Sequence, residues 1–349
     1  MSASDLLAAP PAGWDEPALP GEPAQGYWSS AFAKLRHDRS AIVCVLVLVA
    51  VVVACMAAPL YARYVLRGDP FQSNVSGTTM VGGKEVAVLQ QATNGLGLGL
   101  TPIGPQWRFG PYMLGADSQG RDVAARLLYG GQNSLLIGGV ATLICLTLAA
   151  CTGLVAGFAG GVIDRIISIF LDVLWAFPIY LLAISLSIVL INESLHIGPI
   201  TIGGNSLAVP MIIIGLVYVP YVARPVRGQV LSLRHSEFIL AAEGIGASPV
   251  RILWREIFPN VFSTLVVFAP LMMALNILTE AALSFLSIGV QPPAASWGTI
   301  IHDGDGLIYT RPWVAIAPGI AIVITVLALN ILGDSLRDAL DPRAKVRLH

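Results

Sequence analysis

The chain has 349 residues, of which 55% are hydrophobic and only 12% charged, with a mean hydropathy of +0.74, whereas a soluble domain carries roughly a quarter charged residues. That scarcity of charge excludes an ordinary soluble enzyme, and a net charge of -1 leaves no basic footprint for nucleic acid. The apolar excess falls in blocks of about twenty residues, the length that crosses a bilayer core as a helix, so the chain reads as a polytopic membrane protein.

The first 26 residues hold Pro10, Pro11, Pro17, Pro20 and Pro23 among acidic side chains, a composition that cannot offset its ordering entropy. They lack the basic and apolar regions of a signal peptide. Trp28, Phe32 and Leu35 then fall at helical spacing, with Lys34, Arg36, His37 and Arg39 around them. Two readings stand: a short helix on the membrane surface, or a basic stop before a hydrophobic span. Spans are expected at 41–61, 134–158, 165–191, 208–224, 261–288 and 312–333. Thirteen Lys and Arg then share a side with the N terminus against seven opposite, which places both termini in the cytoplasm. The corresponding divisions are 1–39 (cytoplasmic Pro-rich tail and surface helix), 40–61 (first transmembrane helix), 62–133 (extracytoplasmic loop), 134–335 (bundle core) and 336–349 (cytoplasmic tail). The 62–133 loop, with its Gly-rich run at 94–105, is too polar and broken to span, and is either an exterior cap or a docking surface. Cys44, Cys55, Cys145 and Cys151 lie in apolar runs without metal or redox spacing and read as packing residues.

Residues 223–260 read as two short helices with a turn. Gly246 sits where the first helix ends, Ser248 caps the second, and Pro249 occupies its first turn. Val250, Leu253, Trp254 and Ile257 share one face there, Arg251 and Arg255 another. Such a hairpin suits a socket in another protein; a connector on the lipid headgroups is the alternative. Asp117, Arg121 and Asp122 form a charged cluster at the outer mouth of the second span, either a structural clamp or a substrate contact. Ionisable groups inside membrane helices are costly and generally face a bundle interior or a wet cavity. Asp172 and Glu280 are such groups, and Asn276, one turn before Glu280, shares its face; the three either line a translocation path or tie helices together. Pro178 and Pro270 are expected to kink their helices. Each of the three lysines lacks the GxxxxGK[ST] context of a phosphate-binding loop, and no HExxH, GxSxG or His/Cys cluster suggests catalysis or a metal.

The 223–260 loop resembles the EAA loop of ABC-importer inner-membrane subunits. Ala241, Ala242, Gly246, Ile257, Pro259 and Asn260 match, while Leu240 replaces the family's Glu, with Glu237 and Glu243 as neighbouring substitutes. Three further segments are similar to the dipeptide, oligopeptide and nickel permeases of the DppC/OppC family: LGADSQGRD at 114–122, LTEAALSFL at 278–286 followed by GVQPPAASWG at 289–298, and NILGDSLRDALDPR at 330–343. The resemblance implies an all-α membrane protein: a type I ABC importer permease-like bundle of six transmembrane helices, with a long extracytoplasmic loop after the first. It implies a multi-pass inner-membrane transport subunit rather than an enzyme. Its partners would be a homologous second permease, two ABC ATPases, an extracytoplasmic substrate-binding protein and membrane lipid. ATP and Mg would belong to the ATPases, with no cofactor in this chain. Glu237, Ala241, Ala242, Glu243, Gly246, Ala247, Ser248, Ile257 and Pro259 would form the coupling loop. Dipeptides, longer peptides, glutathione-like peptides, nickel chelates and haem all remain compatible with that family. An ion-coupled transporter or channel working without ATPases is the alternative, and a membrane anchor that recruits soluble proteins through the 62–133 loop is a third reading.

Overall fold

The computed structural model describes residues 27–91, 99–192, 195–197 and 200–340. The Pro-rich stretch 1–26, part of the Gly-rich run at 94–105 and residues 341–349, including Pro342 and Arg343, lie outside the described residues. The aromatic spacing before the first span does form a helix, α1 (Tyr27–His37), followed by α2 (Arg39–Met56), which Asp38 caps by accepting from the Ser40 N–H at 2.9 Å. Helix α1 packs along the last helix, and its Trp28 ring lies 5.8 Å from Phe262.

A short α3 (Ala58–Tyr61) and a wide π-turn (Ala62–Leu66) lead into the segment between the first two long helices. This segment folds into a cap. Strand β1 (Thr78–Val81) pairs antiparallel with β2 (Lys84–Ala87), and β3 (Leu89–Gln91) with β4 (Leu100–Pro102), around a small core of Val88, Ile103, Tyr112 and Ala116. The cap is fastened to the bundle: Arg311 Nε donates to the Pro102 carbonyl at 2.6 Å, Tyr61 donates to the Gly110 carbonyl at 2.9 Å, and Trp107 meets Trp313 edge-on at 5.0 Å.

Helix α4 (Val123–Ala159) begins at Val123, not at 134. Its first turns are apolar at Val123, Ala124, Ala125, Leu127 and Leu128, but Gly130, Gly131, Gln132 and Asn133 interrupt the pattern; Asp122 caps the helix and its first turns pack against other helices, so it starts well before the expected span. The single span expected at 165–191 is two helices, α5 (Gly161–Ala176) and α6 (Ile179–Asn192), set at 91°. Pro178 lacks an N–H and forces Phe177 into extended backbone (φ -84°, ψ 138°), which breaks the helix instead of kinking it. A short hairpin, β5 (Leu195–Ile197) with β6 (Ile200–Ile202), precedes α7 (Ala208–Val217) and α8 (Val219–Arg234), which meet at 42° and carry the helical path past the expected end at 224.

Helices α9 (Glu237–Gly244) and α10 (Pro249–Arg251) form the hairpin. A π-helical stretch (Ile252–Ile257) joins α10 to α11 (Phe258–Phe285), so the second hairpin helix flows directly into the next span. Pro270 lies within α11 without interrupting it. Finally come α12 (Trp297–Asp305) and α13 (Trp313–Leu340), the latter extending helix into the expected C-terminal tail. Among the described residues, four helices are long and apolar enough to cross a membrane, and the two bent pairs raise this to six.

Helix α4 is the axis of the main core, where Ile137, Ala141 and Cys145 pack with Ile213, Val226, Val230 and Met272 from α7, α8 and α11. Gly153 and Gly157, four residues apart, sit under Val226 and Val230 and let α8 approach closely, the small-residue packing typical of membrane helices, where lipid supplies no hydrophobic drive between helices. Cys44, Cys55 and Cys145 are buried, but Cys151 is exposed on the outer face of α4, so the packing assignment fails there.

Candidate functional site

The 223–260 hairpin is rigid at its turn. Gly246 has φ +79°, the left-handed region that costs glycine nothing. Its N–H donates to the Glu243 carbonyl at 2.9 Å and that of Ala247 to the Ala242 carbonyl at 3.0 Å, the paired bonds of a Schellman termination. Ser248 Oγ then accepts from the Arg251 N–H at 3.4 Å. Ile239 and Ile257 are fully buried and root the hairpin in the core, while Glu237, Ala241, Glu243 and Pro259 are exposed.

The expected apolar face divides. Ile252 and Ile257 point inward with Leu253 partly buried, whereas Val250 and Trp254 face outward. The π-helical register is the reason: it brings residues five apart onto one side, so the 3.6-residue pattern does not apply. Leu240, Ile245, Val250 and Trp254 are thus exposed apolar side chains along the hairpin, with Ile245 at its tip 82% exposed.

The charged cluster around Asp117 is larger than the sequence suggested and differently composed. Asp117 Oδ2 accepts from Arg121 Nε at 2.7 Å and from an Arg126 terminal nitrogen at 2.6 Å. The same two arginines reach Asp303 Oδ2 at 2.9 and 2.6 Å. Asp117 is fully buried and Arg126 nearly so. Asp122 is outside this ion cluster: its oxygens accept from the Ala125 and Tyr112 N–H groups at 2.8 and 2.5 Å, making it a helix cap. Burial pushes the Asp122 carboxyl above its usual pKa against the pull of those donors, and burial likewise raises the Tyr112 phenol. Arg126 was legible as a charge one helical turn beyond Asp122. Asp303, far along the chain, carried no cue.

The three candidate path residues separate. Glu280 and Asn276 are fully buried on one face of α11. Glu280 accepts from Ser134 Oγ and Ser284 Oγ, both at 2.7 Å, and Asn276 donates to Thr142 Oγ1 at 2.9 Å, leaving its own oxygen without a hydrogen-bond partner among the described residues. Beside them the Tyr218 and Thr279 hydroxyls are 2.8 Å apart. Apart from the Ser284 bond, which lies within α11, these bonds join helices of this chain. Asp172 does not join them. Its side chain is 67% exposed on α5 and accepts from Arg224 at 2.6 Å, because the break at Pro178 turns α5 across α8. Asp164 is held there too, by a two-pronged contact from Arg227 at 2.5 and 2.7 Å, while Arg224 lies over the Trp175 ring at 4.8 Å.

A cleft of about 720 Å³ between α11 and α13 is lined by Ser263, Thr264, Phe268, Asn330, Asp334 and Arg337. The last three belong to the 330–343 motif. Their hydrophilic cluster was visible in the sequence, but the facing Ser263 and Thr264 needed the tertiary fold.

Residues 149–346 match the model of a family described as binding-protein-dependent transport system inner membrane component. The chain is 40% identical over 234 residues to the glutathione transport system permease protein GsiD of Pectobacterium atrosepticum, covering 67% of this chain and 73% of the relative. Over 318 residues it is 33% identical to the dipeptide transport system permease protein DppC of Alkalihalophilus pseudofirmus, covering 91% of this chain and 90% of the relative. Over the same length and coverage it is 32% identical to the oligopeptide transport system permease protein OppC of Bacillus subtilis. A solved inward-facing structure of the MetNI methionine ABC transporter superposes with a TM-score of 0.50 at 18% identity, covering 62% of this chain and 96% of that one, a likeness of fold.

Proposed function

The chain belongs to the binding-protein-dependent transport system inner-membrane component family and is a permease subunit of an ATP-binding-cassette importer, and from that premise we propose that its cargo is small peptides. The names of the relatives support this class, since dipeptides, oligopeptides and glutathione share peptide bonds and terminal charges. An ion-coupled transporter acting without ATPases finds no support among them.

The subunit works with a homologous second permease, two cytoplasmic ATPases that bind ATP and Mg, and an extracytoplasmic binding protein. Both termini lie in the cytoplasm, which puts the hairpin on the ATPase side and the β-hairpin cap on the binding-protein side. The observation that carries the coupling role is the row of exposed apolar side chains, Leu240, Val250, Trp254 and, at the tip, Ile245, on a hairpin held by a Schellman turn and joined through unbroken helix to α11. A push on that tip travels along α11 as a rigid lever, the kind of two-state element that ATP binding in a partner biases. The cleft lined by Asn330, Asp334 and Arg337 forms the cytoplasmic wall of the solute path.

Reconstitution of the complete complex tests this reading. Binding protein loaded with a dipeptide, glutathione or a pentapeptide stimulates ATP hydrolysis and solute uptake for at least one of the three. Failure of all three overturns the peptide class, and uptake by this chain alone in liposomes overturns the ATPase-coupled reading.

A further inference from the structure

Helix α12 lies between the last two long helices and is bonded at both ends to the same helix, α4. At its N-terminal end the Trp297 N–H donates to Ser134 Oγ at 3.1 Å, and Ser134 donates onward to Glu280 at 2.7 Å. The other Glu280 oxygen takes the hydrogen bond of Ser284, whose Oγ accepts from the Val290 N–H at 3.0 Å, fixing the connection that leads into α12. One buried carboxylate therefore sets two points of the 286–297 connection through two serines. Trp297 Nε1 adds a bond to the Leu127 carbonyl at 3.1 Å, and Asn133 donates to the Ala295 carbonyl at 2.7 Å.

At the C-terminal end, Asp303 meets Arg126 of α4 and Arg121 of the cap, both of which also hold buried Asp117. Ser134 and Arg126 are about two turns apart on α4, so they present to one side of it. The cap is fastened separately through Arg311 and Trp107.

We infer that α12, the outer half of α4 and the extracytoplasmic cap form one rigid gate, with Glu280 and Asp303 as the positioning residues that lock α12 to α4 at its two ends. What the unit gates rests on the permease reading; that it is rigid rests on these bonds. Glu280 thereby acts in transport without lining the solute path. The gate moves as a whole, and peptide entry depends on α12 keeping its place against α4.

The test uses the complete complex in liposomes, with spin labels at Lys84→Cys on the cap and Asp305→Cys at the end of α12, in a chain carrying Cys151→Ser. The label-to-label distance is expected to be single and to stay within about 2 Å between nucleotide-free and vanadate-trapped states. Asp303→Asn and Glu280→Gln, which keep shape and remove charge, broaden that distance and lower peptide uptake by about tenfold. A shift well beyond 2 Å in the unsubstituted gate overturns the inference, as does an unchanged distance and uptake in both charge-removed variants. If those variants do not assemble, the unsubstituted distance decides alone. A complex whose ATPase ignores peptide while the distance stays fixed refutes the peptide reading and leaves the rigid unit standing.

Discussion

Gly157 of α4 stands so close beneath Val230 of α8 that a Cβ at position 157 would come within 2.7 Å of the valine Cβ. Packing this tight cannot absorb a larger side chain. Gly157→Leu is expected to destabilise the subunit by about 1–3 kcal/mol or more through overpacking, read as a lower melting temperature and a lower yield of assembled complex. Gly139, on the same helix with open space around it, accepts alanine without loss.

Gly246→Val places a β-branched residue at φ +79°, a backbone region that costs an L-residue about 1–2 kcal/mol. The chain still inserts, because no span depends on this turn. Peptide-stimulated ATPase activity falls by about tenfold as the apolar tip loses its angle. Full stimulation in the variant would remove the hairpin from the coupling path.

Arg126→Leu leaves Asp117 and Asp303 facing each other with only Arg121 between them, in a pocket where Asp117 is fully buried. Breaking a buried ion pair by removing one partner costs about 3–5 kcal/mol. The double variant Arg126→Leu with Asp303→Leu is expected to recover part of that loss, and a double-mutant cycle on melting temperature measures the coupling. Strict additivity would show that the two side chains do not interact.

Asp172→Asn and Glu280→Ala separate two acids that the sequence grouped together. Asp172 is largely exposed, and surface pairs contribute little, so its variant transports within about twofold of the native rate. Glu280→Ala strands Ser134 and Ser284 in a buried site at a cost of about 1–3 kcal/mol and lowers complex assembly. Normal assembly with altered solute selectivity would instead make Glu280 a path residue.

Much of the 223–260 hairpin was legible in the sequence, because caps and turns are local: Gly246, Ser248 and Pro249 act on atoms within four residues of themselves. The facing of its second helix was not. Trp254 turns away from Ile257 because the stretch from Ile252 to Ile257 adopts π-helical register, and a hydrophobic pattern assumes one period throughout. The start of α4 was hidden for a related reason. Gly130, Gly131, Gln132 and Asn133 break the apolar pattern of residues 123–133, and the Asp122 cap and bonds with distant residues such as Trp297 and Cys55 hold the stretch in the helix.

The scarcity and spacing of charge determined that this chain crosses a membrane in several helices, and four collinear motifs determined its family, since both follow from the order of residues. Only the tertiary structure decided which of the few charges meet. Asp303 joins Arg121 and Arg126 across more than 170 positions, Glu280 turns to serines, and Asp172 leaves for Arg224. A buried charge must find a partner wherever the packing of helices places one, and that placement is set by glycine contacts and a proline break acting together, which no linear pattern records.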